Sequence, residues 1–112
     1  MKYDHIGIPT TEERPWTAFV EGGKVHITDA KAHPYGVEWL KFEPNSPMPE
    51  LIQKVAHVAF EVDNLEQALQ GAKIIVEPFD AMKGLRCAFI DEGGAPVELM
   101  QRTKKSGCGC SK

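Results

Sequence analysis

Two stretches of the chain alternate bulky apolar residues with small or polar ones, and they match each other. Asp4-His5-Ile6-Gly7-Ile8 runs His, bulky, small, bulky, and Ala56-His57-Val58-Ala59-Phe60-Glu61-Val62 repeats that order. A period of two predicts strands. It puts His5 and Gly7 on one face, opposite Ile6 and Ile8. In the second stretch it puts His57, Ala59 and Glu61 opposite Val58, Phe60 and Val62. Two further strands form a matching pair. Gly36-Val37-Glu38-Trp39-Leu40-Lys41-Phe42 and Ala95-Pro96-Val97-Glu98-Leu99-Met100 each carry Val-Glu followed by an apolar pair. Each half therefore opens on a His-bearing strand and closes on a Glu-bearing one, which suggests internal duplication.

Between these ends the second half reads clearly. Asp63-Asn64-Leu65-Glu66 has the form of a capping box, and Leu65, Ala68 and Leu69 give a short helix its apolar stripe before Gly71. Lys73-Ile74-Ile75-Val76-Glu77 predicts a strand ending near Pro78, and a further strand spans Arg86 to Ile90 between turns at Gly84 and Gly93-Gly94. The order is strand, helix, strand, strand, strand. In the first half, Pro15 falls where the helix should be and would break its interior, so the helix there is shortened or missing. Lys24 to Asp29 predicts a strand, His33-Pro34-Tyr35-Gly36 a turn, Asn45 to Pro49 a loop and Glu50 to Gln53 one helical turn. The spacings agree with a shortened first half: 33 positions from His5 to Glu38, and 41 from His57 to Glu98.

Composition narrows the functional classes. A chain of 112 residues with 42% hydrophobic and 26% charged residues fits one soluble globular domain. The net charge of −3 and the lack of a basic stripe argue against nucleic acid. No apolar run approaches the roughly 20 residues of a membrane span, and the first residues lack a signal-peptide pattern. The expectation is a cytoplasmic protein with reduced thiols and no membrane association. Cys87 lies in an apolar run and reads as a small core residue. Residues 105–112 hold Cys108 and Cys110 without an apolar anchor, and read as a disordered tail with an incidental or accessory role.

Two His and two Glu placed symmetrically in related strands make a divalent-metal site. Imidazole with carboxylate suits zinc, nickel, cobalt, iron or manganese, and without a thiolate a purely structural zinc site is disfavoured. A lone His or Glu on a strand is ordinarily structural or solvated. Glu38 and Glu98, however, interrupt strongly apolar strands, where a charge needs a partner or a cavity. His26 and His33 break the repeat and read as surface or turn residues. Glu61 shares a face with His57, and Glu77, Trp39 and Arg86 are weaker candidates for pocket lining.

This pattern resembles the vicinal oxygen chelate superfamily, which includes glyoxalase I, methylmalonyl-CoA epimerase, extradiol dioxygenases and the bleomycin- and fosfomycin-resistance proteins. The resemblance rests on Asp4 to Ile8, on His57 to Asp63 with Leu65 and Ala68-Leu69, and on Pro96-Val97-Glu98-Leu99. It covers residues 2 to about 102. It implies an α+β fold of two βαβββ modules forming a curved, incomplete barrel around a metal. One domain would span residues 1–104, with modules at about 1–44 and 55–104. It implies that His5, Glu38, His57 and Glu98 match the family's ligand positions, with Glu98 or Glu38 doubling as the catalytic base. The His/Glu/His/Glu set is closer to glyoxalase I and the epimerase than to the dioxygenases. It also implies a divalent cofactor (zinc, nickel, cobalt or manganese) and a homodimer. The chain departs from the family in its short first module. It has no basic cluster for glutathione or CoA, and no counterpart of the epimerase's separate catalytic Glu.

The leading expectation is a metal-dependent lyase or isomerase that shifts a proton on a small 2-oxo or 2-hydroxy acyl compound. The alternative is a non-catalytic binder of the resistance-protein kind. In a third reading the metal only holds a small fold together.

Overall fold

The alternating stretches become the centre of one sheet. A computed structural model describes residues 1–103. The first half contains β1 (Lys2–Pro9), β2 (Ala18–Val20), β3 (Val25–Ile27) and β4 (Val37–Phe42), with a single 3-10 turn at Ala30–Ala32. A short α1 (Glu50–Lys54) connects it to the second half. There follow β5 (His57–Glu61), α2 (Leu65–Ala68), β6 (Ile74–Met82), β7 (Leu85–Glu92) and β8 (Ala95–Arg102). The eight strands form one curved, barrel-like sheet in the order β2-β3-β4-β1-β5-β8-β7-β6. Helices are few and short. None among the described residues is long and apolar enough to cross a membrane.

The register carries the internal repeat into three dimensions. β1 runs parallel to β4, with Gly7 opposite Glu38. β5 runs parallel to β8, with Ala59 opposite Glu98. In each half the small residue two places after the His therefore faces the Glu. At the centre β1 and β5 are antiparallel, so His5 lies opposite Ala59 and His57 opposite Gly7. Because side chains alternate along a strand, this pairing sends both His and both Glu to the same face.

The two outer faces are covered differently. In the second half α2 lays Leu65 and Leu69 on Val62, Ala88 and Leu99. Leu65 is wholly buried, and burying a leucine is worth about 2–3 kcal/mol. In the first half no helix separates β1 from β2, as Pro15 predicts. The segment after Pro9 instead runs to β2 as irregular chain with a bend at Thr11 and Glu12. Its Arg14 guanidinium sits 4.0 Å over the Trp39 ring, and Glu13 pairs with Lys41 and accepts from Trp16. A cation on an indole face thus stands in for the missing apolar helix stripe.

Three sequence readings shift. The α2 cap is Asn64, not Asp63: its side chain accepts from the Gln67 amide at 3.0 Å, and no capping box forms. The strand expected to end near Pro78 runs on to Met82. β6 is an edge strand with register breaks between Val76 and Phe79, where a residue lacking N–H costs no ladder bond. β2 has only three residues, too few for alternation to reveal it. Cys108 and Cys110 lie outside the described residues.

Candidate metal centre

Four side chains from the four central strands meet on the concave face. His5 comes from β1, Glu38 from β4, His57 from β5 and Glu98 from β8. His5, His57 and Glu98 are buried, and Glu38 is half-buried. His5 Nε2 lies 3.3 Å from Glu38 Oε1 and 3.4 Å from Glu98 Oε1. His57 Nε2 donates to Glu98 Oε1 at 3.0 Å. The two imidazoles stand edge to face, 5.8 Å between centroids. Phe89 backs the His57 ring from 5.1 Å.

Gly7 makes this convergence possible. A Cβ there would fall 2.3 Å from His57 Cε1 and 2.6 Å from its Nε2. Any side chain would occupy the space the imidazole fills. Ala59, the matching small residue, is fully buried opposite His5.

The electrostatics are those of a charged cluster held out of water. Burial alone would pull the His5 imidazolium down. The facing carboxylates of Glu38 and Glu98 outweigh burial and push it up to about 11. Burial would likewise raise Glu98, but His5 and His57 hold its carboxyl well below the usual carboxylate range. Buried charges of this kind require close partners.

The donor set fits a metal. His5, Glu38 and His57 can each offer one ligand atom, and those atoms lie within 4.8 Å of one another. Among the described residues, two buried imidazole nitrogens, His5 Nε2 and His57 Nδ1, have no hydrogen-bond partner. Buried polar atoms rarely stay unsatisfied, and His5 Nε2, set between the Glu38 and Glu98 carboxylates, has the surroundings of a divalent-ion ligand. The group can therefore hold a metal ion.

The cluster lines a cavity of about 820 Å³. Its walls are largely apolar. Val25, Ile27 and Leu40 form one side, and Cys87, Met100 and Phe79 the other. Cys87 is a fully buried free thiol, and burial pushes its ionisation upward, so it reads as wall and not as nucleophile.

The weaker sequence candidates lie elsewhere. Glu61 pairs with Arg102 at 2.8 Å. Glu77, Trp39 and Arg86 are absent from the cavity wall. His26 bonds Glu43 at 2.6 Å, away from the cluster. Sequence reasoning overlooked Asp4, whose Oδ2 accepts from His5 Nδ1 at 2.8 Å. The signal was present, since Asp4 immediately precedes the His, but nothing in a strand pattern says that neighbouring residues touch.

No protein family matches the chain by sequence profile, and no curated protein matches it. The fold is similar to the crystal structure of a hypothetical protein from Bacillus halodurans C-125. The TM-score is 0.67 at 22% identity, covering 94% of this chain and 96% of that one. At that identity the likeness shows a shared fold alone.

Proposed function

We propose that this chain is a divalent-metal-dependent lyase or isomerase of the glyoxalase type, with His5, Glu38, His57 and Glu98 as the ligand set. One observation carries the reading: these four side chains converge on an apolar cavity, and two of their buried imidazole nitrogens have no hydrogen-bond partner among the described residues. The matching registers of β1 with β4 and β5 with β8 support two copies of one βαβββ module, the first without its helix. The donor chemistry suits zinc, nickel, cobalt or manganese. A homodimer is part of the proposal, as is a cytoplasmic setting. The short edge strand β2 and the long edge strand β6 are the surfaces along which copies could pair.

When bound, the ion supplies a Lewis acid that polarises a substrate oxygen. The chain's own residues divide the remaining work. Glu98 is gripped by both imidazoles and held ionised, which makes it an anchor and a poor proton acceptor. Among the described residues Glu38 forms an ion pair with His5 alone and is half-buried, so its carboxylate is the less tightly held of the two and the better placed to take a proton from a substrate carbon and return it. The apolar walls give that transfer a setting of low polarity. The substrate class is a small 2-oxo or 2-hydroxy acyl compound.

The test is turnover of hemithioacetals and acyl-CoA epimers by protein loaded in turn with each of the four metals. Metal-dependent exchange of the substrate's α-proton is expected. Glu38→Gln should lower kcat by about 10²–10⁴-fold. The apolar walls favour a second reading, a sequestering binder. Tight ligand binding without metal and without turnover would select it.

A further inference from the structure

The two imidazoles occupy matching register positions but are held differently. Before His57 stands Ala56, which has no hydrogen-bonding side chain, and His57 Nδ1 has no hydrogen-bond partner among the described residues. Before His5 stands Asp4, whose Oδ2 lies 2.8 Å from His5 Nδ1. An ionised carboxylate only accepts, so the ring nitrogen donates. That fixes the proton on Nδ1 and turns Nε2 toward Glu38 and Glu98.

Asp4 is itself held. Arg102 Nη1, near the end of β8, donates to Glu61 Oε1 at 2.8 Å and reaches Asp4 Oδ1 at 3.4 Å. Both Asp4 and Arg102 border the cavity. A chain of contacts therefore runs from Glu61 through Arg102 and Asp4 to His5, joining the ends of β5 and β8 to the start of β1.

We propose that Asp4 is a positioning residue that orients His5 for metal, with Arg102 holding Asp4 in place. The inference rests on the metal reading above and extends it to residues outside the ligand set. A carboxylate on the far nitrogen of a ligand imidazole fixes its tautomer and ring orientation and raises its basicity. The arrangement makes His5 the ligand whose tautomer is pre-set, whereas among the described residues His57 has a hydrogen-bonding partner only in Glu98 and is otherwise held by packing against Phe89.

The experiment is cobalt(II) titration of the full chain, followed by visible absorption, beside Asp4→Ala, Asp4→Asn and Arg102→Gln. Asp4→Ala should bind cobalt about 10- to 100-fold more weakly and alter its absorption. Asp4→Asn, whose amide oxygen still accepts from Nδ1–H, should recover most of the affinity, and Arg102→Gln should fall between. NMR of the metal-free proteins gives a second readout. The His5 Nδ1–H resonance should be present in the wild type and Asp4→Asn, and lost in Asp4→Ala. Wild-type cobalt affinity and spectrum in Asp4→Ala, or a persisting Nδ1–H resonance, would overturn the proposal. If the wild type takes up no cobalt, the metal reading fails, and loss of the resonance in Asp4→Ala still establishes what holds the ring.

Discussion

Gly7→Ala is expected to destabilise the metal-free protein and to abolish tight metal binding. The added Cβ would lie 2.3 Å from His57 Cε1, well inside any tolerable contact. His57 has little room to retreat. Phe89 stands behind it, Glu98 bonds its Nε2, and its side chain is almost wholly buried. The backbone at Gly7 needs no glycine conformation, since no positive φ occurs there. The cost is therefore steric. Forcing a methyl group into a packed interior typically costs about 1–3 kcal/mol. For a domain of this size that lowers Tm by roughly 5–15 °C. Displacing the imidazole would also separate His57 from His5 and Glu38, with an expected loss of metal affinity of about 100-fold or more. Thermal unfolding and cobalt titration measure the two effects. Wild-type values for both would mean that His57 is free to move, against the packing described.

Raising the pH should weaken the metal-free fold while strengthening metal binding. His5 keeps its proton in the folded protein up to about 11, against 6.5 for an ordinary histidine. Its contribution to stability is thus fully present below about pH 6.5 and lost as pH rises toward 11. Between those limits the folded state holds one proton more than the unfolded state. Stability then falls by up to about 1.4 kcal/mol per pH unit. Glu98 works in the opposite sense. Its carboxyl is held below the ordinary 4.5, so its contribution is present above that value and lost in acid. A metal that takes His5 Nε2 must displace the proton, so its apparent affinity should rise by up to about tenfold per pH unit over the same window. Urea unfolding of the metal-free protein and cobalt titration from pH 6 to 9 test both slopes. His5→Gln should flatten both. An affinity that stays level or falls with pH would contradict the protonated cluster.

The four candidate ligands could be located from the chain because alternation decides faces, and the repeated Val-Glu and His-x-small units decide which strands correspond. His5, Gly7, His57 and Ala59 come to their places by period two alone. Glu38 and Glu98 stand out as charges within apolar strands. Pro15 also pointed to a first half whose helix is shortened or missing. What stayed hidden depends on contacts between residues far apart in sequence. Arg14 covering Trp39, and Arg102 reaching Asp4 across 98 positions, leave no periodic trace. Asn64 displaced Asp63 as cap because either side chain can serve, and only the local backbone decides. The continuation of β6 past Pro78 depends on its being an edge strand, a property of the whole sheet order.

The most direct test of the metal centre is the metal content of the purified protein by mass spectrometry, wild type beside His57→Ala and Glu98→Ala. A metal centre of this kind requires about one divalent ion per chain in the wild type, lost in both variants. A wild-type protein that holds no metal, even after reconstitution with zinc, nickel, cobalt and manganese, would contradict it.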